Sequence, residues 1–122
     1  MVFDLKERVA VVTGSAQGLG LGIARRLAEG GALVVMADVQ AEKVQQSAAA
    51  LKKDGLQVLP RTLDIVNSQQ VTPFFDDVVK DLGRLDILVN NAGLGQNVAA
   101  VVELTDQEWD RVLNVTLTGT WA

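Results

Sequence analysis

A glycine-rich stretch, TGSAQGLG at residues 13–20, has the residue types and spacing to hold phosphate. Gly14 permits a turn straight out of an apolar strand, and Gly18 lets the backbone approach a pyrophosphate. Gly20 lets the next helix pack closely on its sheet, and the N-terminus of that helix attracts anions. The alternative is a tight strand-to-helix turn that binds nothing, because the glycine spacing differs from G-x-G-x-x-G.

An acidic residue, Asp38, ends the second predicted strand, about 20 residues beyond the loop glycines, where a ribose-binding acid is expected. Its carboxylate would accept hydrogen bonds from both adenosine ribose hydroxyls and would repel a 2′-phosphate. The neighbours Ser15 and Val39 are not basic. The sequence therefore favours NAD(H) over NADP(H). The alternative is a solvated acid at a strand end.

Two further strand ends carry polar residues. Asp64 ends the third strand, and its carboxylate together with the Ile65 amide could bind an adenine edge; the alternative is an acid that opens a turn. Asn90-Asn91-Ala92-Gly93 follows the fourth strand, at the point where ligands bind doubly wound sheets. Its small residues leave room for a ribose and nicotinamide. The alternative is a plain asparagine-rich turn.

The elements that position these residues alternate between strand and helix. The predicted strands are Val9–Thr13, Leu33–Ala37, Leu56–Leu63 and Ile87–Val89. The predicted helices start near Gly18, at Ala41, near Ser68 or Thr72, and at Thr105. This pattern predicts an α/β fold with a doubly wound parallel sheet of order 3-2-1-4, in one domain over residues 1–122.

Several details of these elements are testable predictions. Leu19, Ile23 and Leu27 are expected to form the apolar face of the first helix. Pro60 places the third strand at a sheet edge. The third helix begins at Ser68 with Pro73 inside it, or at Thr72 with Pro73 at its first position; a bend near Thr72 is favoured. The fourth strand would be an open apolar edge. The apolar part of Leu94–Glu103 would line the site or pack against the sheet.

Composition limits the function classes. The chain has 122 residues, is 48% hydrophobic and 21% charged, and carries a net charge of −4, which is typical of a soluble globular domain. No basic cluster favours nucleic acid or a membrane surface, and no segment resembles a signal peptide or membrane span. Cysteine is absent, no metal site is predicted, and a cytoplasmic location is expected. Histidine and tyrosine are also absent, which leaves acid–base chemistry to carboxylates, lysine or water.

Together these motifs resemble the classical short-chain dehydrogenase/reductase family over the whole chain. Residues 13–20 are similar to its TGxxxGxG loop, residues 90–93 to its NNAG motif, and Asp64 to its adenine-binding acid. The resemblance implies a catalytic role for Asn114, which would hold a water linked to the catalytic lysine. It implies these cofactor-binding residues: Gly14, Ser15, Gln17, Gly18, Leu19, Gly20, Asp38, Val39, Asp64, Ile65, Asn91, Ala92 and Gly93.

The resemblance also implies an activity. The complete enzyme would transfer a hydride between a secondary alcohol or ketone and NAD, and would be a homo-oligomer, a dimer or tetramer. The serine, tyrosine and lysine of the family's catalytic tetrad would lie beyond Asn114. The C-terminal part of the family fold is therefore expected to be absent, and residues 1–122 are expected to be inactive alone. The alternatives are a non-catalytic nucleotide-binding module and an inert truncation fragment.

Overall fold

The computed structural model describes residues 4–64, 68–90 and 100–103. Its strands are β1 (Val9–Thr13), β2 (Leu33–Asp38), β3 (Val58–Thr62), β4 (Ile87–Asn90) and β5 (Ala100–Glu103). Its helices are α1 (Gly18–Glu29), α2 (Ala41–Lys53) and α3 (Ser68–Leu82). The helix predicted from Thr105 lies outside the described residues.

The strands form one sheet of order β3-β2-β1-β4-β5, in which the first four are parallel. The predicted α/β class and the order 3-2-1-4 are therefore confirmed, as is the edge position of β3. Thr13 of β1 is level with Ala37 of β2, and Asp38 is level with Thr62 of β3. This register brings the loops that follow the parallel strands together at the carboxyl ends of those strands. The candidate site lies at this edge, which runs across the strand ends and not along an outer strand.

The prediction of an open edge at β4 is wrong. Strand β5 pairs with β4 in the antiparallel direction, with Val101 opposite Val89 and Glu103 opposite Ile87. The apolar run around Val101 therefore continues the sheet, so the apolar stretch packs as a strand. Period-two patterning is weak in this run of small apolar residues, which is why the sequence left it as a connection.

The predicted apolar face of α1 is only partly right, because Ile23 and Leu27 pack against the core but Leu19 does not. The residues of α1 that are buried are Gly20, Ala24 and Ala28, spaced four apart. Leu19 is 45% exposed, and Ile23 and Leu27 only border the core. Small side chains face the sheet because they let the helix axis come close to it, and the larger leucines and isoleucine fill the flanks. The role predicted for Gly20 agrees with its burial.

Helix α3 is continuous from Ser68 to Leu82 with Pro73 inside it, so of the two predicted starts Ser68 is confirmed and Thr72 is wrong. The bend near Thr72 stays a prediction. Pro73 lacks the N–H that would bond to the Gln69 carbonyl, but it lies on the exposed side of the helix. The opposite side packs against the sheet through Val78, helped by Phe74, Phe75, Val79 and Leu82. We infer that this burial outweighs the loss of one hydrogen bond.

The sheet is buried on both faces. Ala10 and Val12 of β1 face the cluster under α1 and α2, whereas Val9 and Val11 face the cluster under α3. Near-continuous apolar strands are typical of a parallel sheet covered on both sides. Among the described residues, no helix is long and apolar enough to cross a membrane.

A buried carboxylate fixes the amino-terminal end of the sheet. Asp86 is fully buried, accepts a 2.8 Å hydrogen bond from the Val9 amide and forms two bonds with the Arg84 guanidinium, at 2.7 and 2.8 Å. Arg8 adds a longer contact at 3.4 Å. Burial by itself would raise the pKa of Asp86. The hydrogen bond from Arg84, the Val9 amide and the nearby positive charges outweigh burial and hold the pKa below its ordinary value.

A pair of substitutions in α1 tests the small-residue face. Ala24→Leu is expected to destabilise the protein by about 1–3 kcal/mol, because Ala24 is fully buried against the sheet and a larger side chain overpacks it. Gly22→Ala, in the same helix, has open space for its Cβ and is expected to stabilise by about 0.5–1 kcal/mol. Urea unfolding measures both. Equal effects of the same sign would contradict this packing.

The Asp86 cluster makes stability depend on pH. Asp86→Asn is expected to cost about 2–3 kcal/mol at neutral pH, because it leaves Arg84 beside an uncharged amide. Since the folded pKa is lowered, this contribution is present above the ordinary value of 3.8 and is lost as pH falls through the folded pKa. Urea unfolding at a series of pH values should therefore bring wild type and variant together at acid pH.

Asp54→Asn is the matched control for the Asp86 experiment. Asp54 pairs with Arg25 at 3.0 Å on the exposed surface, where ion pairs contribute little to stability. Its substitution should change unfolding far less than Asp86→Asn at neutral pH. A wild-type-to-variant gap for Asp86 that stays constant down to pH values well below 3.8 would refute the assigned role.

Candidate functional site

The glycine loop lies between the end of β1 and the start of α1, next to the end of β2. Gly14 and Gly18 both have left-handed backbone, with φ of 63° and 61°. Between them the Ser15 amide donates to the Ala37 carbonyl at 3.3 Å, and so does the Ser15 hydroxyl at the same distance. Ser15 is thus buried and holds the loop against β2. Its predicted contact with the cofactor stays a prediction.

The N-terminus of α1 is open to an anion. Gln17 is the N-cap, yet its side chain makes no capping hydrogen bond, and the first turn holds no acidic residue. The amides of the first turn have no acceptor within the helix, and the helix dipole concentrates positive charge there. A Cβ built on Gly18 meets nothing within 4 Å. The open space and the donor amides together fit a phosphate group.

Asp38 is placed differently from the solvated acid that its position also allowed. It is only 7% exposed. One carboxylate oxygen accepts the Ala16 amide at 2.9 Å, and the other accepts the Gln40 amide at 2.9 Å. The oxygen that binds the Gln40 backbone also accepts the Gln40 side-chain amide at 3.4 Å. A carboxylate oxygen offers about two acceptor positions, so the oxygen that binds Ala16 can accept a further hydroxyl. Asp38 therefore holds the glycine loop and retains capacity for a ligand.

Sequence reasoning missed two residues of α2 that contact the loop. The Ser47 hydroxyl donates to the Ala16 carbonyl at 2.6 Å, and the Lys43 ammonium donates to the side-chain oxygen of Gln17. The two lie four residues apart, on the same face of α2. Their polar types beside the buried positions Val44 and Ala48 were the available signal, but nothing local tied that face to the loop.

The other side of the loop is linked to β4. The Thr13 hydroxyl lies 3.1 Å from the side-chain oxygen of Asn90 and 3.4 Å from the Val89 carbonyl. This contact joins the end of β1 to the first asparagine of the predicted nicotinamide segment. Thr13 is buried and Asn90 is half-buried, which suits a bridge between adjacent strands.

Asp64 follows β3 on the far side of Asp38. The Leu63 amide donates to the Asp38 carbonyl at 3.0 Å, and the Asp64 amide donates to the Gln70 side chain at 3.3 Å. Asp64 thus lies at the same edge of the sheet, at the end of the third strand as predicted. Its side chain is half-buried. Leu19 and Val39 are also at this edge, and they are the exposed large hydrophobic residues of the described chain.

The remaining predicted site residues fall outside the described parts of the chain; they are Ile65, Asn91, Ala92, Gly93 and Asn114. The described residues bring together the loop, Asp38, Val39, Asp64 and Asn90 at one edge of the sheet. Nowhere in residues 4–64, 68–90 and 100–103 do three metal-ligating acids, cysteines or histidines cluster. Donor amides, a carboxylate and exposed apolar side chains at this end of the sheet would fit an anionic, hydroxylated ligand.

Comparison with known proteins gives this site a context. Residues 8–122 match the family model for short chain dehydrogenase. The chain is 41% identical to the hydroxy(phenyl)methyl-succinyl-CoA dehydrogenase subunit BbsD of Thauera aromatica, over 96% of this chain and 47% of that protein. It is 43% identical to cis-4-hydroxycyclohexanecarboxylate dehydrogenase of Sinomonas cyclohexanicum, over 93% of this chain and 45% of that protein. The chain thus spans about half the length of these curated relatives.

Solved structures agree. The citronellol catabolism dehydrogenase AtuB of Pseudomonas aeruginosa superposes with a TM-score of 0.73 at 31% identity, covering 76% of this chain and 39% of that one. A metagenomic short-chain oxidoreductase in complex with NADP gives a TM-score of 0.72 at 37% identity, covering 75% and 42%. Since the family model matches nearly the whole sequence and the fold and loop agree with it, the chain belongs to the short-chain dehydrogenase family of oxidoreductases.

Proposed function

We propose that these residues form the cofactor-binding part of an NAD-dependent dehydrogenase that acts on a secondary alcohol or ketone. The observation that carries the proposal is the uncapped N-terminus of α1 behind an open Gly18. The pyrophosphate would lie against the first-turn amides. When bound, the nicotinamide supplies the group that accepts or donates a hydride.

Asp38 supports the choice of NAD. Its carboxylate lies beside the loop and, among the described residues, forms no ion pair with a lysine or arginine. An uncompensated negative charge attracts ribose hydroxyls and repels a 2′-phosphate. Leu19 and Val39, both exposed, offer apolar surface that an adenine ring would cover. NADP is the alternative, and Lys43, which contacts Gln17, is a cation that could meet its 2′-phosphate.

The catalytic roles in this proposal are taken from the resemblance to the short-chain dehydrogenase family. Asn114 is proposed to hold a water of the proton-transfer chain, with Asn91, Ala92 and Gly93 beside the nicotinamide. The chain contains no tyrosine or histidine, so within residues 1–122 proton transfer to a ketone oxygen would be left to carboxylates, lysine or water. We therefore assign binding and orientation of the cofactor to the described residues. Dinucleotide binding without hydride transfer is the competing hypothesis for these residues taken alone.

Two glycine substitutions test the phosphate site. Gly18→Ala should weaken NADH binding by about tenfold or more, because the new Cβ occupies the open space before the helix N-terminus. Gly55→Ala is the matched control, since Gly55 also has positive φ and open space. Gly55 follows the C-terminal end of α2, whereas the glycine loop lies near the N-terminal half of that helix. Both should cost about 1 kcal/mol of stability from backbone strain.

NADH fluorescence titration and urea unfolding, run on both glycine variants, provide the measurements. Only Gly18→Ala should lose affinity, while both lose stability to a similar extent. If the wild-type protein binds no dinucleotide, or if both variants bind NADH equally well, the phosphate site is not where we place it.

Substitution of Asp38 tests the cofactor preference. Asp38→Ala should reduce the ratio of NAD to NADP affinity by about tenfold or more, because the repulsion of the 2′-phosphate disappears. It should also weaken NAD binding, because the Ala16 and Gln40 amides lose their acceptor. Asp38→Asn keeps an acceptor without the charge, so it should relax the preference with a smaller loss of affinity.

Lys43→Ala is the control for cofactor preference. It removes a cation beside the loop and should leave the affinity for NAD nearly unchanged. Competition titrations against NADH give all the affinities. Equal binding of NAD and NADP by the unmutated protein would overturn the NAD assignment, and a selective loss of NADP affinity in Lys43→Ala would favour NADP.

A further inference from the structure

We propose that Ser47, on α2, is a positioning residue that fixes the direction of the phosphate-facing amides in the glycine loop. The proposal rests on the proposed function, because the loop must bind a dinucleotide for its orientation to affect affinity. Ser47 would not touch the cofactor. It would act through Ala16, the central residue between the two left-handed glycines.

The contact is short and is directed out of the helix that carries it. The Ser47 hydroxyl donates to the Ala16 carbonyl at 2.6 Å, although the residues are 31 positions apart. A serine within a helix commonly bonds to a carbonyl of its own preceding turn. Here the hydroxyl reaches the neighbouring loop instead. Ser47 is half-buried and Ala16 is buried, so the contact is partly shielded from water.

The carbonyl bond determines where the next amide points. In a trans peptide the C=O and N–H groups point in opposite directions. With the Ala16 carbonyl directed at α2, the Gln17 N–H must be directed away from α2. A flip of this peptide would reverse both groups and turn a carbonyl oxygen to the side where an anion must approach. Ser47 therefore opposes the loop conformation that would repel phosphate.

No other contact described for this peptide performs the same task. The Asp38 carboxylate holds the Ala16 amide, and the Ala37 carbonyl holds Ser15; these bonds fix the two preceding peptide units. Lys43 holds the Gln17 side chain, not its backbone. The Ser47 bond is thus the described restraint on the Ala16–Gln17 peptide.

The test compares Ser47→Ala with Ser47→Thr in the complete protein. Ser47→Ala should raise the Kd for NADH about three- to tenfold, the range expected when one ordering hydrogen bond is lost. The dissociation constant for ADP should rise by the same factor, because the defect lies at the pyrophosphate. Ser47→Thr keeps the hydroxyl and should restore both constants to within about twofold of wild type.

Two readouts separate positioning from general stability. Alanine is the better helix former, so Ser47→Ala should leave the urea midpoint unchanged or raised while affinity falls. Gln45→Ala, at an exposed position of the same helix, is the matched control and should leave the affinity for NADH and for ADP unchanged. Hydrogen exchange of the amides in residues 14–19, without cofactor, should be faster in Ser47→Ala than in wild type.

The outcomes separate this inference from the proposed function. If wild type binds NADH and Ser47→Ala binds it equally well, the positioning role is wrong and the proposed function stands. A loss of affinity that follows a parallel loss of stability would also overturn the positioning role. If wild type binds no dinucleotide, the proposed function fails, and the positioning role toward a cofactor fails with it. Exchange rates in residues 14–19 would then report only whether Ser47 orders the loop.

Discussion

The carboxylate of Asp38 accepts the Ala16 amide with one oxygen and the Gln40 amide with the other, each at 2.9 Å. Three segments meet through this side chain: the glycine loop, the end of β2 and the start of α2. Without an acceptor there, the buried Ala16 amide and the partly buried Gln40 amide would lose their partners, and an unpaired buried amide is costly. The position of the loop relative to the sheet therefore depends on the same group that is proposed to choose the cofactor.

The close approach of α1 to the sheet also determines where the proposed phosphate site lies. Gly20, Ala24 and Ala28 face the strands, so the helix lies close to the sheet and its N-terminus lies close to the end of β1. Larger residues at these positions would move the helix outward and carry the donor amides away from Asp38. The small-residue face of α1 is thus a condition for the site as well as a feature of packing.

The sequence predicted the parts of this molecule that depend on local pattern. Strand β1 and the start of α1 were placed at the observed residues, because an apolar run followed by glycines has few other structures. The buried face of α1 was only partly predicted, because leucine and isoleucine gave a stronger periodic signal than glycine and alanine. Strand β5 was missed because its pairing with β4 is a tertiary contact.

The same limit applies within the site. Asp38 could be predicted from its distance to the loop glycines, but its bond to Ala16, 22 residues away, depends on the register of β1 and β2. Ser47 could not be found at all, because its contact with Ala16 spans 31 residues and serine on a helix surface is common. Residues that contact a ligand belong to a recognisable sequence motif. A residue that supports the motif needs only a polar side chain at a suitable position on a neighbouring helix, and sequence pattern does not single out that position.

Two buried carboxylates at opposite ends of the sheet show how environment separates two roles. Asp86 is enclosed by Arg84 and Arg8, so its charge is compensated and it serves to fix the ends of β1 and β4. Asp38 is bound by neutral amides among the described residues, so its charge remains available at the edge where the loops meet. A compensated carboxylate stabilises structure but offers little to a ligand. A carboxylate held only by amides keeps the field that can discriminate between a hydroxyl and a phosphate, which is why Asp38, and not Asp86, is the residue on which cofactor choice should depend.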